Sequence, residues 1–299
     1  MSDKKIIIGV DLGGTKIMTG AITREGNVLG DPVQVPTGAN DPADKILKRI
    51  TGSIEKTLSD LKLTLNDLAG IGIGSTGPVN SESGEILECP QLPSMHFYNI
   101  RETIKKHYHI PVRLNNDANC LIFGECVFGV AADKKNVVGF TLGTGIGCAV
   151  ILNKKILNGS TGTAAEIWPS PYKSGIIEDY VSGSGVTRIY ESISGNVETS
   201  LAIYNLALAG NKDALQTWNE FGVHLAVPIA WSVNLIDPEM VVIGGSIAAA
   251  YPFFKTTMED NLRKWICPVP AGKTKVVPSK LGGYAGFIGA ACLMLYDNL

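Results

Sequence analysis

Two segments of this chain follow one pattern. "IIGVDLGGTKIMTGA" (7–21) and "VVGFTLGTGIGCAVI" (137–151) each begin with an apolar, β-branched approach. Each then passes a polar residue (Asp11, Thr141) and a leucine (Leu12, Leu142), enters a glycine-rich turn and leaves along a second apolar run. β-branched runs favour extended backbone, and glycines at the tip permit the backbone conformations of a tight reversal. Both segments therefore read as β-hairpins. A pseudo-repeat at roughly half the chain length predicts two related lobes, each opening with a hairpin.

The remaining sequence alternates short strand-like and longer helix-like stretches, which predicts an α/β fold. "LAGIGIGSTG" (68–77), "IPVRLNN" (110–116) and "MVVIGGS" (240–246) are strand-like. Ile46, Leu47, Ile50, Ile54 and Leu58 recur at helical spacing within 41–61. Further helices are expected over 100–109, 118–130, 186–208, 212–234 and 251–266, with a final buried helix over 285–299. The lobe boundary is expected near 117–136.

Charge and cysteine content exclude several classes. The net charge is −2 and no Lys/Arg block occurs, so the electrostatic footprint of a nucleic-acid or anionic-membrane binder is missing. No apolar run is long enough to span a bilayer, and the N-terminal one is shorter than the apolar region of a signal peptide. Six cysteines (Cys89, Cys120, Cys126, Cys148, Cys267, Cys292) are scattered without a CxxC pair and read as reduced, mostly buried thiols. A cytoplasmic protein with neither nucleic acid nor membrane as partner is expected.

The glycine turns carry the first chemical signal. In "DLGGTK" (11–16), backbone N–H groups at a glycine tip suit phosphate oxygens, and the Asp11 carboxylate suits Mg²⁺. An isolated Gly-Gly would be a plain turn. The matched turn "TLGTGIG" (141–147) makes that reading far weaker. A third, "VVIGGS" (241–246), ends a strand ahead of a helix, where nucleotides sit in α/β folds. "GIGSTG" (72–77) matches a dinucleotide fingerprint but leads into Pro78 rather than a helix, and reads as a strand-end turn near a ligand. "GKT" (272–274) lacks the first glycine and the preceding strand of a P-loop, and no G-x-S-x-G element is present. In "RLNNDANC" (113–120) a strand gives way to a helix. Asn116 and Asp117 there read as a helix N-cap, or as an amide for binding a polyol beside a general base. Both readings stand on the residues alone.

"GVDLGGTK", "GIGSTGPV", "NNDAN", "FTLGTGIGCAVI", "IDPEMVVIGGSI" and "GGYAGFIGAA", in this order and spacing, resemble the ROK family of bacterial sugar kinases, most closely its glucokinases. The resemblance covers nearly the whole chain. It implies a two-lobed actin/hexokinase-like (ribonuclease H-like) α/β fold with an interlobe cleft. Residues 1–116 and 286–299 would form a smaller first lobe, and 117–285 a larger second one. It implies ATP, with Mg²⁺ held in part by Asp11, and transfer of a phosphoryl group to a hexose 6-hydroxyl. Asp117 would be the general base. Gly77, Gln91, Asn116, Asp117, Glu166 and Glu178 would meet the sugar. Asp11, Gly13, Gly14, Thr15, Lys16, Gly143, Thr144, Gly145, Gly244 and Gly245 would meet the nucleotide. A homodimer is also implied. Alternatives are a kinase for fructose, mannose, an N-acetylhexosamine or a β-glucoside, and a non-catalytic sugar-binding protein. The family's sugar-sensing repressors carry a helix-turn-helix module before the glycine turn. Only about ten residues precede Asp11 here, so that reading is not expected.

Two departures stand out. Relatives bind a structural zinc through a histidine and a cysteine-rich segment between the two glutamates. Here the run is "EIWPSPYKSGIIE" (166–178), with Pro169 at the histidine position and no cysteine. Zinc needs thiolate or imidazole ligands, so no zinc is expected. Trp168, Pro169, Pro171 and Tyr172 are expected to brace the loop instead. In "CPQLPSM" (89–95), Gln91 replaces the family's asparagine and the following tryptophan is missing.

Overall fold

The computed structural model describes residues 5–298; the expected first-lobe residues 1–4 and the end of the expected last helix at 299 lie outside the described residues. In chain order the elements are β1 (Ile6–Leu12), β2 (Lys16–Thr23), β3 (Val28–Pro36), α1 (Ala43–Asp60), β4 (Leu68–Ser75), β5 (Val79–Asn80), β6 (Glu85–Ile86), α2 (Ile100–Tyr108), β7 (Val112–Asn116) and α3 (Asp117–Val127). There follow β8 (Val137–Leu142), β9 (Ile146–Leu152), β10 (Lys155–Ile156), β11 (Pro171–Tyr172), β12 (Gly175–Ile176), α4 (Gly183–Ser194), α5 (Ser200–Leu208) and α6 (Lys212–Ile236). The chain closes with β13 (Met240–Gly244), α7 (Tyr251–Trp265), α8 (Pro268–Lys273), β14 (Lys275–Pro278) and α9 (Ala285–Cys292). It divides into two compact units. One comprises the chain up to Ala132, Lys154–Ala164 and the chain from Leu281 onward; the other comprises Asp133–Asn153 and Ala165–Lys280.

The first unit is built on a sheet of order β3-β2-β1-β4-β7, with β1–β2 antiparallel and β1–β4 and β4–β7 parallel. Alternation along the strands assigns its two faces. Ile8, Val10, Leu12, Ile71 and Ile73 pack with Ile46, Ile50 and Ile54 of α1 in one core. Gly9 and Gly72, on the opposite face, let α9 lie almost on the backbone. A Cβ at Gly9 would stand 1.9 Å from the carbonyl oxygen of Phe287, and one at Gly72 only 1.8 Å from that of Ala290. Gly72, the first glycine of the fingerprint-like "GIGSTG", is thus spent on the close approach of α9.

The first unit runs to Ala132, past residue 116 and within the stretch 117–136. Helix α3 belongs to the first unit because it packs tightly on α9: a Cβ at Gly124 would be 2.9 Å from Gly289 Cα.

The second unit repeats the plan. Strands β9-β8-β13-β14 lie in that order, with β8–β9 antiparallel and β8–β13 and β13–β14 parallel. Its core joins Val138 and Phe140 of β8 to Val186 and Ile189 of α4, Trp218, Phe221 and Leu225 of α6, and Phe254 of α7. The two hairpins anticipated from the repeat are present, each with a parallel strand on the far side of its first member.

Among the differences from expectation, three concern the larger elements. The stretch 186–208 is two helices, because Gly195 ends α4 in the left-handed conformation (φ 73°) and Thr199 caps α5. Strand β3 was not anticipated: Pro32 and Pro36 mask it, and as the edge strand it tolerates them. Helix α9 stops at Cys292 and continues as a 3₁₀ segment, Leu293–Asn298. Among the described residues no helix is long and apolar enough to cross a membrane.

Candidate active site

In the first unit, the expected site residues gather at the carboxyl ends of β1, β4 and β7. Ser75 pairs with Leu12 on one side and Asn116 on the other, which sets these three strand ends abreast. Asp11 is half-buried at the end of β1. Burial pushes its carboxyl up to about 6, against the opposing effect of the Lys16 charge. The Gly13 N–H donates to the Lys16 carbonyl at 3.0 Å and closes the turn, and the Thr37 hydroxyl donates to the Gly13 carbonyl at 2.6 Å. Thr15 and Lys16 are exposed at its tip.

Gly14 abuts Gln91, with a Cβ there 3.1 Å from Gln91 Cβ, and Gly77 lies against the Asn116 amide, with a Cβ 2.5 Å from Nδ2. The structure bears out the N-cap reading of "NND". Asn116 is the N-cap of α3: its side-chain oxygen accepts the Ala118 and Asn119 N–H groups at 2.8 and 3.4 Å. Its amide nitrogen is turned to Gly77. Asp117 is the first residue of α3, and its Oδ1 accepts the Ala118 N–H at 2.7 Å, a charge-assisted bond that fixes the carboxylate at the helix start. The buried Cys120 thiol is pushed well up, first by burial and then by the negative charges of Asp117 and Asp11. Both carboxylates therefore bear on one small region.

The sequence reading missed Asn115. It is 5% exposed, donates to Asn158 Oδ1 at 3.0 Å and accepts the Asn119 amide at 2.9 Å. These bonds fix the strand end from below. The available signal was a polar residue at a buried position of a short strand.

In the second unit, two glycine turns lie side by side. Gly143 N–H donates to the Gly145 carbonyl at 3.0 Å, leaving Thr144 at an exposed tip. A Cβ at Gly143 would be 3.7 Å from Ser246 Oγ, just past the Gly244–Gly245 turn. Gly245 has φ 84° and its Cβ would stand 2.3 Å from the Leu142 carbonyl oxygen, so only glycine fits. Register pairs Gly244 with Thr141, so the two turns emerge from the carboxyl ends of neighbouring parallel strands. That is where ligands of open α/β sheets bind.

Glu178 approaches the first of these turns. Its Oε2 accepts the Ile146 N–H at 3.1 Å. Burial raises its carboxyl, with the Ile146 bond opposing. Burial also raises Glu166; the Trp168 indole N–H donates to it and opposes the shift, while the Glu178 charge adds to it. The two glutamates are electrostatic neighbours.

Between them runs the β11–β12 hairpin. Trp168 and Tyr172 pack against the core as expected, but Pro169 and Pro171 are exposed and act only by restricting the backbone. The reading missed Tyr180 and His224, which complete the bracing. Among the described residues no three His, Cys, Asp or Glu side chains gather as a metal-binding set. The segment 166–178 has no cysteine or histidine and so does not fit a zinc ion, which takes thiolate or imidazole ligands. Asp11 offers a carboxylate oxygen, the kind of hard donor that Mg²⁺ prefers.

The ROK family model matches residues 7–296. The chain is 28% identical to a glucokinase of Halalkalibacterium halodurans, over 98% of this chain and 96% of that one. It is 26% identical to an N-acetyl-D-glucosamine kinase of Pectobacterium atrosepticum, over 97% and 99%. A ROK family glucokinase from Streptomyces griseus, crystallised with glucose and AMPPNP, gives a TM-score of 0.84 at 26% identity, covering 96% of this chain and 98% of that one. The fold is the actin/hexokinase-like α/β fold that the sequence motifs implied. Matched by the family model along nearly its whole length, this chain belongs to the ROK family.

Proposed function

We propose that the chain is an ATP-dependent hexose kinase that phosphorylates the 6-hydroxyl of glucose. The observation that carries this reading is the placement of Asp117. Its carboxylate sits on the first turn of α3, at strand ends abreast of Asp11 and the Gly13–Gly14 turn. Phosphoryl transfer asks the protein for alignment and charge stabilisation rather than covalent chemistry. Asp117 takes the proton from the attacking hydroxyl. Asn116, with its oxygen committed to the cap, offers its amide N–H groups to the sugar. Gly77 and Gln91 line the same region. Glu166 and Glu178 accept bonds from sugar hydroxyls. The turns at Gly13–Lys16, Gly143–Gly145 and Gly244–Gly245 supply backbone N–H groups for the nucleotide, and Mg²⁺ held in part by Asp11 screens phosphate charge.

A second substrate reading is an N-acetylhexosamine. Gln91 replaces the family's asparagine, and the similarity to an N-acetyl-D-glucosamine kinase is nearly as high as that to a glucokinase. A panel of glucose, mannose, fructose, N-acetylglucosamine and N-acetylmannosamine with ATP, followed by coupled ADP release, separates these. Glucose is expected to give the highest kcat/KM. Asp117→Asn is expected to lower kcat on the order of 10²–10⁴-fold with sugar binding retained. Turnover close to wild type in that variant rules out the general-base assignment.

A further inference from the structure

Tyr172 lies in the segment joining Glu166 to Glu178, and its hydroxyl is 2.9 Å from His224 Nδ1 on α6. His224 is 3% exposed, and its Nε2 faces Glu220 Oε1 at 3.7 Å. A carboxylate beside Nε2 favours the N–H there, so Nδ1 accepts and the phenol donates. Tyr180 closes the group, with its ring centroid 5.1 Å from those of both Tyr172 and His224, each in an edge-to-face arrangement. The Lys173 ammonium lies over both tyrosine rings, 5.8 and 5.3 Å from their centroids. Burial and the Lys173 charge lower His224 to about 4, so the ring is a neutral acceptor at ordinary pH. Helix α6 is a rigid anchor here, since Trp218, Phe221 and Leu225 around His224 are all buried.

The sequence between the two tyrosines is fixed link by link. Ile177 is buried and its N–H donates to the Ser170 carbonyl at 2.9 Å. Asp179 accepts the Ile176 N–H at 3.0 Å and pairs with Arg188 at 3.1 Å. Glu178 stands in the middle of this framework.

We infer that Tyr172, Tyr180 and His224, capped by Lys173, form a metal-free clasp that ties the glutamate loop to α6 and so positions Glu166 and Glu178 for the sugar. The second half of this inference rests on the proposed kinase activity; the first half does not. These are positioning residues, acting through Glu178 rather than on the reacting atoms.

Tyr172→Phe tests it by removing one hydroxyl and keeping the ring. Amide exchange at Ile177 is expected to speed up about five- to tenfold, the effect of one hydrogen bond, with exchange elsewhere in the second unit unchanged. The KM for the sugar is expected to rise by about the same factor, with kcat and the KM for ATP within about twofold of wild type. His224→Phe, which keeps an aromatic ring without the acceptor, is expected to give the same split. Dialysis of the wild-type protein against a chelator, followed by restored Mg²⁺, is expected to change neither exchange nor KM. Unchanged Ile177 exchange in Tyr172→Phe overturns the clasp. So does stoichiometric zinc whose removal reproduces the KM rise, and so does a kcat that falls in step with KM. If no hexose is turned over, the kinase reading fails, and the exchange measurement still judges the clasp.

Discussion

Two glycines three residues apart on α9 should fail in different ways when changed to alanine. Gly289 faces α3: an added Cβ would stand 1.9 Å from the Cys120 carbonyl oxygen and 3.0 Å from Leu121 N. A carbon–oxygen contact needs ~3.3 Å, so the two helices must part by about 1.4 Å. Both atoms belong to backbone, and α9 is simultaneously seated on Gly9 and Gly72, so neither helix has room to move. Overpacking of this kind costs about 1–3 kcal/mol or more, and the gain in helix propensity returns at most about 1 kcal/mol. The expected net loss for Gly289→Ala is about 1–2 kcal/mol, read as a lower urea midpoint at unchanged slope. Gly286 instead faces Asp11: its added Cβ would be 2.3 Å from Oδ2 and 2.6 Å from Cγ, atoms of a side chain rather than of backbone. That carboxylate can swing aside. Gly286→Ala should therefore leave the urea midpoint within about 0.5 kcal/mol of wild type and impair nucleotide use, raising the KM for MgATP about tenfold or lowering kcat comparably. Kinetics and urea titrations on both variants decide the matter. A Gly289→Ala protein as stable as wild type, or a Gly286→Ala protein with wild-type ATP kinetics, refutes the argument from close approach.

Two further outcomes follow from buried titratable groups. His224 has a folded value of about 4 against an unfolded value of 6.5, so between these limits the unfolded chain binds a proton that the folded one refuses. Stability should fall by up to about 3 kcal/mol as pH drops from 6.5 to 4, less what the Glu220 carboxylate recovers, and His224→Phe should remove that part of the slope in a pH series of urea melts. Glu125 on α3 is fully buried; Oε2 accepts the Val130 N–H and Oε1 the Leu281 N–H, each at 2.8 Å. Glu125→Ala strands both donors and should cost about 2–5 kcal/mol, while Glu125→Gln, which keeps one acceptor, should cost less; equal stability of all three proteins in thermal melts would contradict this account.

The sequence showed most clearly what local chemistry dictates. The hairpin pair was readable because β-branched runs and glycine tips encode it directly, and the α1 stripe because Ile46, Ile50 and Ile54 meet one core. Asp117, Asn116 and the glycine turns were readable because motif order and spacing marked them, and the structure brings each to a strand's carboxyl end. What escaped depended on distant partners. The purpose of Gly9 and Gly72 is set by α9, more than two hundred residues later in the chain. His224 lies on a helix whose sequence reads as core, and only the fold brings Tyr172 to it. The boundary at Ala132 lies within the broad stretch 117–136, but its exact place was not legible because α3 follows β7 without a linker. Its allegiance is decided by contact with α9, which local composition does not record.

The repeat that first organised the chain is a repeat of backbone rather than of chemistry. In the first unit the hairpin supplies its own carboxylate, Asp11, held at about 6 by burial. In the second, Thr141 occupies that register beside Gly244, and the carboxylate near the turn comes from outside the hairpin: Glu178 reaches the Ile146 N–H. A buried carboxylate within the hairpin suits a cation, because desolvation leaves it wanting an opposite charge. A carboxylate with one oxygen bonded beside the turn holds that turn in place. It also links the turn to the loop on which Glu178 stands. In this fold, then, anything that repositions the glutamate loop also moves a glycine turn, and the clasp at Tyr172 and His224 bears on both.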